Sequence, residues 1–153
     1  MKVRASNLLV GILALGYPFL AVPALHAAED NARITVILVE ADGGEGGVDS
    51  ALRPYAGTLQ RLFRFNSYRQ VSRKSLRIEV PGEGSVGLGG GQALSLRAEE
   101  GGRRGLMADL TWTRGSKRLL HTRIQLRPES PAVLGGPRSG KDGGSYLLIL
   151  QLE

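Results

Sequence analysis

The sequence predicts an α+β fold that is mostly β, an antiparallel sheet or β-sandwich with one amphipathic helix near the start of the mature chain. Three observations predict it. Several segments alternate apolar and polar residues with period two; two segments are almost continuously apolar; and a single stretch carries helical spacing.

The first continuous segment is Arg33-Ile34-Thr35-Val36-Ile37-Leu38-Val39-Glu40, rich in β-branched residues and suited to a central strand covered on both faces. Asp42-Gly43-Gly44-Glu45-Gly46-Gly47 reads as a loop, and Asp49 as the cap of a following helix. Its acids Asp42, Glu45 and Asp49 match no calcium-loop spacing and read as solvated carboxylates. From Leu52 to about Phe65, Leu52, Tyr55, Ala56, Leu59, Leu62 and Phe63 share one helical face, and Arg53, Gln60, Arg61 and Arg64 fall opposite. Pro54 belongs in the first turn, where a missing N–H costs least. The period then changes to two at 76–80, 92–99, 106–113 and 118–127, the last three forming a meander through turns of hairpin composition. Tyr146-Leu147-Leu148-Ile149-Leu150-Gln151-Leu152 closes the pattern as a second nearly all-apolar strand.

Residues 1–28 have a different character. Lys2 and Arg4 precede the apolar run Leu8–Leu20, which is shorter than the roughly 20 residues a membrane-spanning helix needs and is followed by small residues at Ala24, Ala27 and Ala28. This is the pattern of a cleavable secretory signal, cut after Ala27 or Ala28. The expected product is one β-rich domain over residues 29–153, periplasmic or secreted. Removing Lys2 and Arg4 leaves 18 Lys/Arg against 14 Asp/Glu, a mature charge of about +4. That balance suits an acidic partner or an anionic envelope surface and is too small to argue for nucleic acid. With no cysteine there is no disulfide framework and no thiol chemistry, so stability rests on packing.

Two glycine motifs imitate nucleotide sites and fail on context. Gly135-Gly136-Pro137-Arg138-Ser139-Gly140-Lys141-Asp142 resembles a phosphate-binding loop, but Asp142 stands where a magnesium-binding hydroxyl is needed and a strand follows instead of a helix. Gly82-Glu83-Gly84-Ser85-Val86-Gly87 has the dinucleotide spacing and likewise leads to a strand. Neither nucleotide nor any other cofactor is expected. His121 is the mature chain's one histidine and reads as a strand-face residue with Leu119, Arg123 and Gln125. Trp112 lies on the apolar face of its strand, as a core residue does. A hydrolase built on Asp109 and a loop acid is the enzymatic alternative, ranked below binding because no acid/base pair declares itself.

Arg53, Arg61, Arg64, Arg69, Arg73, Lys74 and Arg77 follow one another without an intervening acid, and they are the electrostatic binding candidates. Guanidinium groups grip phosphate and carboxylate bidentately, which suits lipid phosphates, polyanionic glycans or an acidic envelope protein. The competing role is solvation of the helix surface, with ion pairs to Glu79, Glu83, Glu99 or Glu100.

Leu119-Leu120-His121-Thr122-Arg123-Ile124-Gln125-Leu126-Arg127, then Ala132-Val133-Leu134-Gly135-Gly136 and Leu147-Leu148-Ile149-Leu150, resembles the closing strands of the secretin outer-membrane channel domain. There, a Thr-x-apolar-x-apolar strand leads to an apolar-Gly-Gly turn and later to an apolar strand. The similarity covers about a fifth of the chain, and the longer insert of that family before the last strand is missing. It implies an envelope-associated, pairing-prone hairpin and carries no functional residue. The expectation is therefore a non-enzymatic binding domain, with an accessory subunit of a secretion or pilus assembly as the alternative. In that alternative the apolar final strand pairs with another subunit.

Overall fold

The computed structural model describes residues 30–103, 105–140 and 143–153; the leader expected over residues 1–28 lies outside them. Strands β1 (Asp30–Asp42), β2 (Gly47–Val48), β3 (Ser67–Val80), β8 (Ala132–Arg138) and β9 (Ser145–Leu152) form one sheet in the order β2-β3-β1-β9-β8. Strands β4 (Gly82–Gly89), β5 (Gln92–Glu100), β6 (Leu106–Arg114) and β7 (Lys117–Leu126) form a second sheet in sequence order. A 3₁₀ turn (Ser50–Tyr55) and helix α1 (Ala56–Leu62) pack on the outer face of the first sheet. The fold is thus mostly β with one short helix, in three layers.

The layering explains the two continuous apolar strands. Along β1, Ile34, Val36 and Leu38 face the second sheet in a core shared with Leu94, Leu96, Leu110, Trp112, Leu148 and Leu150. The residues between them, Ile37, Val39 and Ala41, face the helix in another core with Leu52, Tyr55, Leu59, Tyr68, Leu147 and Ile149. Both sides of β1 and β9 are covered, so neither strand can alternate. β9 lies between β1 and β8 and pairs with both. The final strand offered by the sequence for pairing with another subunit therefore has its two edges occupied within the chain.

The meander expected over 92–127 is present, with β5, β6 and β7 antiparallel. One correction concerns Leu119. A register shift between Trp112 and Thr113 makes it the extra residue of a bulge, and it packs against the sandwich core instead of sharing the outer face with His121, Arg123 and Gln125.

The other differences lie in polar or glycine-rich chain. β4 occupies the segment with dinucleotide-like glycine spacing, and close packing accounts for Gly82 and Gly84. A Cβ at Gly82 would stand 2.5 Å from the Glu79 carbonyl, and one at Gly84 would stand 3.1 Å from Leu76 Cδ1. Those are the residues that let β4 leave β3 through the tight corner at Val80-Pro81, a cis peptide. Gly135 and Gly136 likewise lie inside β8 and not at a turn. The turn comes afterwards, where the Ser139 N–H donates to the Gly144 carbonyl at 3.0 Å and the chain returns antiparallel as β9. Lys141 and Asp142 lie outside the described residues.

β3 begins at Ser67, well before the 76–80 alternation that announces it. Beyond Tyr68 its residues are largely exposed down to Leu76, so the hydrophobic signal is weak, and a bulge at Val71 shifts the alternation by one. The helical segment is shorter than 52–65: Pro54 sits in the 3₁₀ turn and α1 stops at Leu62. Phe63 then turns extended, with its ring edge over Gly135 of β8.

Two side chains tie the helix to β3. The Asp49 carboxylate accepts the Ala51 N–H at 3.1 Å, capping the 3₁₀ turn, and the Gln70 N–H of β3 at 3.2 Å. The buried Tyr68 hydroxyl donates to the Phe63 carbonyl at 3.0 Å, lies 3.3 Å from that of Leu59, and accepts the Phe65 N–H at 3.4 Å. Burial pushes the Tyr68 phenol pKa up, against a smaller lowering by that N–H.

For Asp49 the Ala51 N–H, then the Gln70 N–H, hold the carboxyl below the ordinary aspartate range. A lowered folded-state pKa means that the charged form is favoured by folding. Its stabilisation is complete above the unfolded pKa of about 3.9 and is lost as pH falls through the lowered folded value. Asp49→Asn is expected to flatten the fall of stability in that acid window, measured by urea unfolding at stepped pH. An unchanged pH slope would show that the two N–H contacts do not stabilise the carboxylate.

Candidate anion-binding surface

The helical layer presents its exposed side away from the sheet, and on it stand Arg53, Arg61 and Arg64. β3 contributes through its alternation. Arg73 pairs in register with Ile37 and Arg77 with Arg33, and Ile37 faces the helix, so Arg73, Arg77 and Arg33 share the helix-bearing side. Lys74 pairs with Val36 and Arg69 with Glu40, which places both on the side towards the second sheet.

The seven predicted cations are therefore divided. Arg53, Arg61, Arg64, Arg73 and Arg77 are gathered on one side, while Arg69 and Lys74 are directed to the other. Arg69 is also neutralised, because its guanidinium donates to the carboxylate of Glu40, a buried residue. Sequence reasoning missed Arg33, which lies 20 positions before Arg53 and joins the surface only through strand pairing. Directly opposed arginines repel, and the Glu153 carboxylate lies 3.9 Å from Arg33 at this end of the face. That carboxylate also accepts a hydrogen bond from the Thr35 hydroxyl. Glu79 lies at the same end, opposite Asn31.

Two of the four acids expected to neutralise the cluster are engaged elsewhere. Glu83 pairs with Arg97 at 3.2 Å, and Glu99 pairs with Arg123 at 3.0 Å. Among the described residues, Arg53, Arg61, Arg64, Arg73, Lys74 and Arg77 make no ion pair. Their positive charge is consequently uncompensated at short range, and it lies on a frame fixed by Asp49 and Tyr68.

The outer face of the second sheet has the opposite character. Across β4, β5, β6 and β7 one register row reads Glu83, Arg97, Asp109, Arg123, so each charge has an opposite charge on the next strand. A parallel row reads Ser85, Ser95, Thr111, His121, with Thr111 Oγ1 3.0 Å from His121 Nδ1. Apart from Arg123, these rows line an open hollow of about 740 Å³. Asp109, the carboxylate of the hydrolase alternative, faces Arg123 at 3.9 Å there. Among the described residues no group of three or more His, Cys, Asp and Glu side chains is placed to hold a metal ion, and no helix is long and apolar enough to cross a membrane.

Compared with known protein families, with curated proteins and with solved structures, the chain matches none.

Proposed function

We propose that this chain is an exported, non-enzymatic binding domain of a bacterial-type cell envelope, periplasmic or secreted, whose helix-bearing side holds an anionic surface or an acidic envelope protein. The observation that carries this reading is the contrast between the two outer faces. Arginines of the second sheet are matched by acids on neighbouring strands, whereas the helix and the outward side of β3 present arginines with no such partner. Like charges gathered on one side repel one another and destabilise the isolated fold; an anionic partner offsets that cost and gains charge-assisted hydrogen bonds. Charge at this density steers association and makes it sensitive to salt. The accessory-subunit alternative would have to pair through an edge other than β9.

The test is charge reversal of three exposed cations, Arg61→Glu, Arg64→Glu and Arg73→Glu, read as affinity for a soluble polyanion such as heparin across a salt series. At about 1 kcal/mol for each cation near an anionic surface, the triple variant is expected to bind on the order of a hundredfold more weakly, with a flatter salt dependence. Arg97→Glu, on the neutralised face, is expected to change little. Equal losses from the two faces would remove the basis for assigning function to the helix side.

A further inference from the structure

β3 is an edge strand along most of its length. β1 occupies one of its edges throughout, whereas on the other edge β2 covers Ser67 and Tyr68 and the Asp49 carboxylate takes the Gln70 N–H. Beyond Gln70 that edge has no strand paired to it among the described residues. The backbone groups it exposes follow from the far side of β1. The Glu153 N–H donates to the Arg33 carbonyl at 2.9 Å, so Arg33 turns its backbone towards β9, as do the alternate residues Thr35 and Ile37. In an antiparallel pair, residues directly opposite turn their backbones either towards each other or both away. Arg77, Ser75 and Arg73, opposite Arg33, Thr35 and Ile37, therefore direct their N–H and C=O groups away from β1, along the open edge. All three residues are exposed. The open stretch ends at Glu79, whose carbonyl is closed in by Gly82 at the start of β4.

The same three residues carry their side chains on the helix-bearing side, and Arg73 and Arg77 make no ion pair. Cations on an edge deter a neutral or basic strand. They favour one whose carboxylates stand directly opposite them, because such a strand gains backbone hydrogen bonds and cross-strand charge pairs together. A lipid or glycan surface meets the arginines and leaves the edge backbone to water; a polypeptide satisfies both. We propose that the open edge of β3 takes up an extended acidic segment of another protein as an additional strand, with carboxylates opposite Arg73 and Arg77 and an uncharged residue opposite Ser75. The two acids must stand four positions apart, as Arg73 and Arg77 do, since alternate residues share a face. This inference rests on the cationic-surface reading given above and names the partner as a polypeptide.

The experiment titrates the protein, purified after processing in the host, with a labelled peptide Thr-Glu-Val-Thr-Val-Glu-Thr blocked at both ends, and measures heparin affinity in parallel. The peptide is expected to bind. The same peptide N-methylated at both glutamates and the central threonine keeps its charge but loses the donors aimed at β3, and should bind at least about tenfold more weakly. Ser75→Pro removes an outward N–H and no bond to β1, at a position where an edge strand accommodates proline. It should weaken peptide binding to a similar degree while heparin affinity and thermal melting stay those of the parent, because no charge changes. If the proline variant melts early, the two peptides compared on the parent chain decide the matter. Equal binding of the plain and N-methylated peptides, or a folded Ser75→Pro variant that binds the peptide as the parent does, would overturn the strand pairing. Heparin binding without peptide binding would likewise overturn it, leaving the cationic reading intact. Binding to neither probe would defeat both.

Discussion

Gly136→Ala is expected to destabilise the domain by about 3 kcal/mol, whereas the same change one residue earlier, Gly135→Ala, should be close to neutral. A methyl group on Gly136 would lie 2.2 Å from Cη2 and Cζ3 of Trp112 and 2.9 Å from the Tyr146 carbonyl oxygen. The indole cannot easily retreat. Trp112 is buried in the sandwich core, and its Nε1–H donates to Gln92 Oε1 at 3.0 Å, also buried. Displacing the ring would break that bond and leave a buried amide oxygen unsatisfied, in addition to disturbing the packing. At Gly135 the nearest atom to an added methyl is Phe63 Cε1 at 3.5 Å, an ordinary contact. Urea unfolding of the two variants measures the difference. In a Trp112→Phe background the Gly136→Ala penalty should shrink markedly, since the ring atoms responsible are gone, and the double-mutant cycle reports the coupling. Equal stabilities for the two alanine variants would mean that the Trp112–Gly136 contact does not constrain β8.

Leu59→Ala is expected to cost about 3 kcal/mol and also to weaken polyanion binding, although Leu59 touches no ligand. The side chain is fully buried between α1 and the five-stranded sheet, with Leu52, Tyr55, Ile37, Val39, Leu147 and Ile149 in the same cluster. Its removal leaves the helical segment held by fewer apolar contacts, while the sandwich core on the far side of β1 is untouched. Hydrogen exchange should therefore quicken first in the amides of residues 56–62, and affinity should fall because Arg61 and Arg64 are no longer held on a fixed frame. Leu110→Ala, in the other core, supplies the comparison: a similar loss of global stability with native-state affinity retained. If both variants lost affinity equally, the helical layer would have no special part in presenting the cations.

Burial pattern determined which elements were legible beforehand. β1 and β9 announced themselves because each is covered twice, and β5, β6 and β7 because each is covered once; the apolar residues record those two situations directly. β4 starts at the corner where the sheets meet and the first half of β3 is largely exposed, and in these two segments glycines and arginines replace the apolar code. Phe63 continued the helical spacing, yet it leaves the helix to cover Gly135 on a strand distant in sequence. The arginine cluster was found as a run of residues, but strand alternation and the Val71 bulge decide which members share a side. Arg33 could join it only through the register with Arg77. The row Glu83, Arg97, Asp109, Arg123 was unreadable for the same reason, since its members come from four strands and are aligned only by hydrogen bonding.

The position of β9 also bears on when this chain can fold. Thr35 and Glu153, joined by a side-chain hydrogen bond, are 118 positions apart, and β1 reaches β8 only through β9. The five-stranded sheet therefore cannot be completed while Ser145–Leu152 is still being synthesised. Contacts of such long range close slowly, because the loop entropy must be lost before the pairing is gained. For a chain exported as proposed, the delay has a direct use: the nascent polypeptide remains extended enough to be threaded across a membrane, and β9 completes the sheet on the far side.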